Sequence, residues 1–134
     1  MIGLDTNVLL RIGDNQEPEQ SARAMALVRA AGTAGTFINA IVLTEFAWTL
    51  KRLYKLTRQE VATRIAILLE APEFVVAETS QVALALERFR VGPADFADYF
   101  LAEINRAAGC VSTASFDSAA LKSGQPFSAV PSPA

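Results

Sequence analysis

Short apolar runs recur along this chain, and a helix-forming stretch separates each from the next. Ile2-Gly3-Leu4, Thr36-Phe37-Ile38, Phe74-Val75-Val76 and Cys110-Val111-Ser112-Thr113 read as short buried strands, with Phe127 through Val130 a weaker fifth. The intervening stretches carry helix signals. Asp5-Thr6-Asn7 supplies capping chemistry ahead of Val8-Leu9-Leu10. Pro18 suits a first helical position, with Met25 and Val28 in the apolar stripe and Gly32 as the stop. Asn39 caps a helix running through Ile41, Val42, Leu43, Phe46, Trp48, Leu50 and Leu53. Thr57 and Glu60 form a capping-box pattern before Val61, Ile65, Leu68 and Leu69, which Pro72 ends. Ser80 is placed to cap a helix reaching Gly92-Pro93, and Asp95 to begin one running through Phe96, Phe100, Leu101 and Ile104 to Gly109. Strands joined by helices pair mostly in parallel, and right-handed crossovers cover both faces of the sheet. The pattern therefore predicts an α/β layer architecture. A single domain is expected over residues 1–134, with 125–134 a loosely ordered tail marked by Pro131 and Pro133.

Parallel sheets gather ligands at the carboxyl ends of their strands. Asp5 follows the first strand, Glu45 lies in the helix after the second, Asp98 in the helix leading to the fourth, and Asp117 follows Ser115-Phe116. Glu45 has Ile41, Val42, Trp48 and Thr49 as same-face neighbours, so it is expected to be at least half-buried and in need of a partner. The chain has no histidine to neutralise or assist these groups. Converging carboxylates repel and are pushed toward protonation unless a cation or strong donors hold them ionised. A hard cation, Mg2+ or Mn2+, fits an oxygen-only set, whereas zinc recruits histidine or cysteine, and Cys110 is the only cysteine. Such an ion orients water, lowers its pKa and offsets charge developing on a phosphate. Cleavage of that kind leaves a 5′-phosphate and a 3′-hydroxyl.

Each carboxylate also has a plainer reading. Asp5 and Asp95 suit helix caps, Asp98 a first-turn acid and Asp117 a turn residue. Histidine-based RNA cleavage and the histidine triad of serine hydrolases are excluded, and neither GxxxxGK[ST] nor a strand-following GxGxxG occurs. Twelve basic residues against fourteen acidic ones give a net charge of −2, so bulk charge carries no nucleic-acid signature. Arg11, within two helical turns of Asp5, is the basic residue best placed to meet a phosphate or a partner's carboxylate. Cys110, at an expected strand start, is assigned to core packing. No apolar run is long enough to cross a bilayer and no secretory signal follows Met1, so a soluble, cytoplasmic protein is expected. A hydrophobic fraction of 51% leaves apolar surface for a partner.

Four segments in order carry a resemblance. LDTNVLLR at Leu4 to Arg11, LTEFAWTL at Leu43 to Leu50, DFADYFLAEINRAAGC at Asp95 to Cys110 and SFD at Ser115 to Asp117 make the chain resemble PIN-domain ribonucleases, specifically the VapC toxins of bacterial type II toxin–antitoxin systems. The resemblance covers essentially the whole chain. It implies a PIN-like three-layer α/β/α sandwich around a mostly parallel sheet, with Asp5, Glu45, Asp98 and Asp117 meeting around one or two Mg2+ or Mn2+ ions as catalytic residues. Thr6, Asn7, Arg11, Asp95 and Ser115 would then support the ligands or the substrate. It further implies endonucleolytic cutting of RNA, often tRNA, a cognate VapB-type antitoxin that occludes the site, and a homodimer. One departure is visible: family members often carry basic residues directly after the last aspartate, where this chain has Ser118-Ala119-Ala120 and reaches a charge only at Lys122.

Two other readings compete. In one, the chain is a catalytically silent PIN-like binding module whose acidic pocket holds a partner's arginines. In the other, Asp5 is a covalent nucleophile of a small phosphohydrolase resembling the haloacid dehalogenases, which place a second aspartate where this chain has Asn7.

Overall fold

A computed structural model describes residues 1–133; Ala134, the last residue of the expected tail, lies outside the described residues. The chain divides into two compact units, Met1–Ala77 and Glu78–Ala134. Both are built from parallel strands with helical connections, the α/β class that the alternating pattern predicts.

The first unit contains β1 (Ile2–Gly3), α1 (Thr6–Arg11), α2 (Pro18–Ala31), β2 (Thr36–Ile38), α3 (Ala40–Arg52), α4 (Arg58–Glu70) and β3 (Phe74–Val76). Its sheet has the order β1-β2-β3, with Ile2 opposite Thr36 and Phe37 opposite Val75, all pairs parallel. Parallel pairing puts the start of α1 and the start of α3 at the same edge of the sheet, which is what later brings two carboxylates near one another. Ile38, Leu43, Leu50, Val61, Ala62 and Ile65 form the driest part of this unit. Thr36 is buried with them because its hydroxyl donates to the Glu73 carbonyl at 2.9 Å.

Helix starts follow local side-chain chemistry. The Asn39 side chain accepts from the Val42 N–H at 2.9 Å, and Thr57 and Glu60 satisfy each other's backbone N–H groups reciprocally at 3.2 and 2.9 Å. Thr57→Ala is expected to destabilise the protein by about 1 kcal/mol, read as a lower urea midpoint with an unchanged slope. The Glu60 carboxyl is held below the ordinary glutamate range, chiefly by the Thr57 backbone N–H and then by its side chain. Folding lowers this pKa, so the contribution is complete above the unfolded-state value and is lost as pH falls through the folded-state value.

The second unit contains α5 (Thr79–Val91), α6 (Phe96–Ala107), β4 (Thr113–Ser115), α7 (Ser118–Lys122) and β5 (Phe127–Ala129). Strands β4 and β5 pair in parallel, Thr113 opposite Phe127, so part of the 125–134 segment is strand. Helices α5 and α6 pack through Phe89 and Phe96, edge to face at 6.0 Å, and Phe96 in turn meets Phe100 at 5.4 Å. Tyr99 meets Phe127 of β5 at 6.0 Å.

Three expectations are corrected. The fourth strand begins at Thr113 instead of Cys110, because the end of α6 continues its turn: Gly109 takes φ +99° and the Cys110 N–H donates to the Asn105 carbonyl. Cys110 is consequently exposed, not packed in the core, and Val111 is 96% exposed. Helix α5 is entered through Glu78, in the left-handed conformation at φ 57°, and not through a Ser80 cap. Among the described residues no helix is long and apolar enough to cross a membrane.

Candidate active site

Asp5 stands just past β1, in extended backbone at the N-cap of α1, where its Oδ1 accepts from the Thr6 N–H at 2.7 Å. The next side chain makes the second link. Thr6 is 8% exposed, and its hydroxyl donates to Glu45 Oε1 at 2.9 Å, across the packed pair α1 and α3. One residue therefore binds two carboxylates, Asp5 through its amide and Glu45 through its hydroxyl. Both carboxylates are exposed to solvent.

The exposure of Glu45 corrects the expectation that it would be at least half-buried. Helix α3 packs through Val42, Leu43, Phe46, Ala47 and Leu50, and the opposite face, which carries Ile41, Glu45 and Trp48, is exposed. Ile41 and Trp48 are apolar yet face outward, so apolar neighbours do not mark the buried face of this helix.

Asn7 is exposed at the start of α1 and, with Val8, Arg11, Gln20 and Arg23, lines a cavity of about 430 Å3 between α1 and α2. Arg11 is half-buried and held on several sides. Its Nε donates to Gln20 Oε1 at 2.7 Å and its Nη1 to the Tyr54 hydroxyl at 3.1 Å, with Asp14 Oδ2 3.6 Å away.

The remaining carboxylates belong to the second unit. Asp95 is the N-cap of α6, and its backbone N–H donates to Asp98 Oδ2 at 3.1 Å in a capping box. Both are half-buried. Asp117 caps α7, its Oδ2 accepting from the Ala120 N–H at 2.9 Å, while its own N–H donates to Ser115 Oγ at 2.9 Å. The plainer reading of Asp5 and Asp95 as caps is thus present in the structure, and Asp117, read as a turn residue, is a helix cap as well; capping leaves one oxygen of Asp5 and one of Asp117 outside the hydrogen bonds just described. A cap and a ligand are compatible roles for a carboxylate.

The structure joins Asp5 to Glu45 through Thr6 in the first unit, and Asp95 to Asp98 in the second. It does not gather three or more Asp, Glu, His or Cys side chains into a metal-holding group among the described residues. The chemistry of the donor set is oxygen only, carboxylates with a threonine hydroxyl behind them, which suits a hard divalent cation and not zinc.

One further carboxylate, Glu103, lies outside the candidates that the sequence motifs name. It is 3% exposed on α6 and pairs with Arg106 at 3.2 Å. Its spacing of four from Tyr99 and three from Phe100 places it on the buried face, a signal that was available.

A family model described as the PIN domain matches residues 2–122. The chain belongs to the PIN domain family. The matched span holds Asp5, Thr6, Glu45, Asp95, Asp98, Ser115 and Asp117, so every carboxylate named as a candidate falls inside it. PIN domains are generally nucleases, and they typically use divalent metals. The PIN assignment agrees with parallel strands flanked by helices. No curated protein matched the chain.

Proposed function

We propose that this PIN domain is an Mg2+- or Mn2+-dependent endoribonuclease and the toxic component of a toxin–antitoxin pair. The observation that carries the reading is the Asp5–Thr6–Glu45 linkage, two exposed carboxylates tied by one buried threonine at the sheet edge where α1 and α3 begin. A structural cap alone has no need of Glu45. The family match across 2–122 supports a nuclease, and the four ordered motifs support the toxin reading.

Asp5, Glu45, Asp98 and Asp117 would hold the divalent ion. When bound, that ion supplies water of lowered pKa and offsets negative charge on the phosphate under attack. The protein's own contribution is orientation. The Thr6 N–H fixes Asp5, the Thr6 hydroxyl fixes Glu45, the Asp95 N–H fixes Asp98, and the Ala120 N–H fixes Asp117. Hydrogen-bonded partners of this kind set the orientation of ligating oxygens. With no histidine in the chain, the leaving 3′-oxygen takes its proton from solvent, and the products carry 5′-phosphate and 3′-hydroxyl ends.

The proposal extends to tRNA as substrate, a VapB-type antitoxin that covers the acidic surface, a homodimer, and a cytoplasmic location. Induced expression tests it in cells. Growth should arrest with the wild-type chain and continue with an Asp5→Asn, Asp98→Asn double variant made at the same level. Arrest that persists in the double variant would favour the silent binding module, acting through its contacts with a partner.

A further inference from the structure

Helix α3 presents Ile41, Glu45, Trp48 and Arg52 to solvent at the spacing of a single helical face. Ile41 is 71% and Trp48 53% exposed, on the side opposite the buried residues of the helix. Trp48 is the only tryptophan of the chain. One turn before it stands Glu45, tied through Thr6 to Asp5, and one turn after it stands the Arg52 guanidinium. Carboxylate, indole and guanidinium therefore follow one another along about 10 Å of helix.

That order suits one class of ligand. With a divalent ion held at Glu45, a single strand of nucleic acid matches it, one phosphate at the ion, the face of a base on the indole and a further phosphate at Arg52; aromatic platforms beside positive charge are how proteins hold such strands. On the ribonuclease reading above, on which this rests, we infer that Trp48 is a base-stacking residue. The nucleotide flanking the scissile phosphate lays its base on the indole, and Arg52 meets the next phosphate. Unpaired RNA is preferred, because a base inside a duplex has no free face to offer. Trp48 is a positioning residue and touches no reacting atom, so its loss raises KM and leaves kcat little changed.

The lone tryptophan makes this directly readable. Asp98→Asn protein in Mg2+ is titrated with a single-stranded RNA dodecamer, with binding followed by the anisotropy of a labelled copy and Trp48 by its intrinsic emission. Emission should be quenched with the same midpoint as the anisotropy rise, and a duplex of the same sequence should quench less. In cleavage assays Trp48→Ala should raise KM roughly 10- to 100-fold with kcat within a few-fold, and Trp48→Phe should stay near wild type. RNA that binds without altering Trp48 emission, or an unchanged KM in Trp48→Ala, overturns the inference and leaves the ribonuclease reading standing. A Trp48→Ala protein whose sedimentation shows a lost oligomer, with wild-type emission indifferent to RNA, overturns it in favour of a protein interface. If labelled RNA binds neither wild type nor Asp98→Asn, the ribonuclease reading falls with it.

Discussion

Asp5→Asn is expected to lower RNA cleavage by at least about 100-fold while leaving the melting temperature close to wild type. The substitution separates two roles that the same carboxylate fills. As N-cap, Asp5 accepts from the Thr6 N–H at 2.7 Å, and an asparagine carbonyl accepts that bond equally well. As a metal ligand it contributes charge, which asparagine lacks. A residue that only capped α1 would therefore show no loss of activity, and a residue that only held metal would show no loss of helix stability on Asp5→Ala. The account predicts that Asp5→Asn loses activity alone and that Asp5→Ala loses both. Initial rates with saturating Mn2+, paired with thermal melts of each variant, give the four values needed.

Gly92→Ala is expected to be among the most destabilising small substitutions in the second unit, by about 1–3 kcal/mol. Gly92 has an ordinary backbone at φ −88°, so conformational freedom is not what the position requires. Space is. A Cβ there would overlap the Tyr99 hydroxyl, and the ring carbon Cζ would lie only 2.6 Å away. Tyr99 has nowhere to go, since its ring packs on Phe127 at 6.0 Å and its hydroxyl accepts from the Ala94 N–H at 3.2 Å and pairs with Ser123 Oγ at 2.8 Å. Removing the hydroxyl does not make room, because the ring carbon remains. Tyr99→Phe should instead cost about 1–3 kcal/mol by removing the hydroxyl that bonds the Ala94 N–H and Ser123 Oγ, and the double variant should not recover stability. Urea unfolding of the three variants measures this, and wild-type stability in Gly92→Ala would show that the α5–α6 turn is looser than described.

The strands and caps that a short sequence window specifies were legible. Thr36–Ile38 and Phe74–Val76 begin and end where branched and aromatic residues do, and Asn39, Thr57 and Asp95 cap because their side chains reach their own backbone. What escaped was decided by more distant contacts. Strand β4 starts at Thr113 because the turn after α6 consumes Cys110 first, an outcome set by Gly109 and the Asn105 carbonyl and not by the propensity of Cys110-Val111. The exposure of Trp48 and Ile41 was illegible for a related reason: apolar character reports the cost of exposure, not the direction a helix faces. In the candidate site, motif order names Asp5, Glu45, Asp98 and Asp117 as the candidates. The Thr6 hydroxyl's bond to Glu45 was not, because residues 39 apart in sequence are joined only by the pairing of β1 with β2.

The most direct test of the central claim is the cleavage of RNA by the purified wild-type chain. Total RNA is incubated with Mg2+, with Mn2+, and with either ion plus excess chelator, and new 5′ ends are mapped by ligation that requires a 5′-phosphate. The account predicts a small set of discrete new ends, within unpaired segments, that appear with either ion and vanish with chelator. Ends that persist in chelator, ends that carry a 5′-hydroxyl, or RNA left intact with both ions would contradict it.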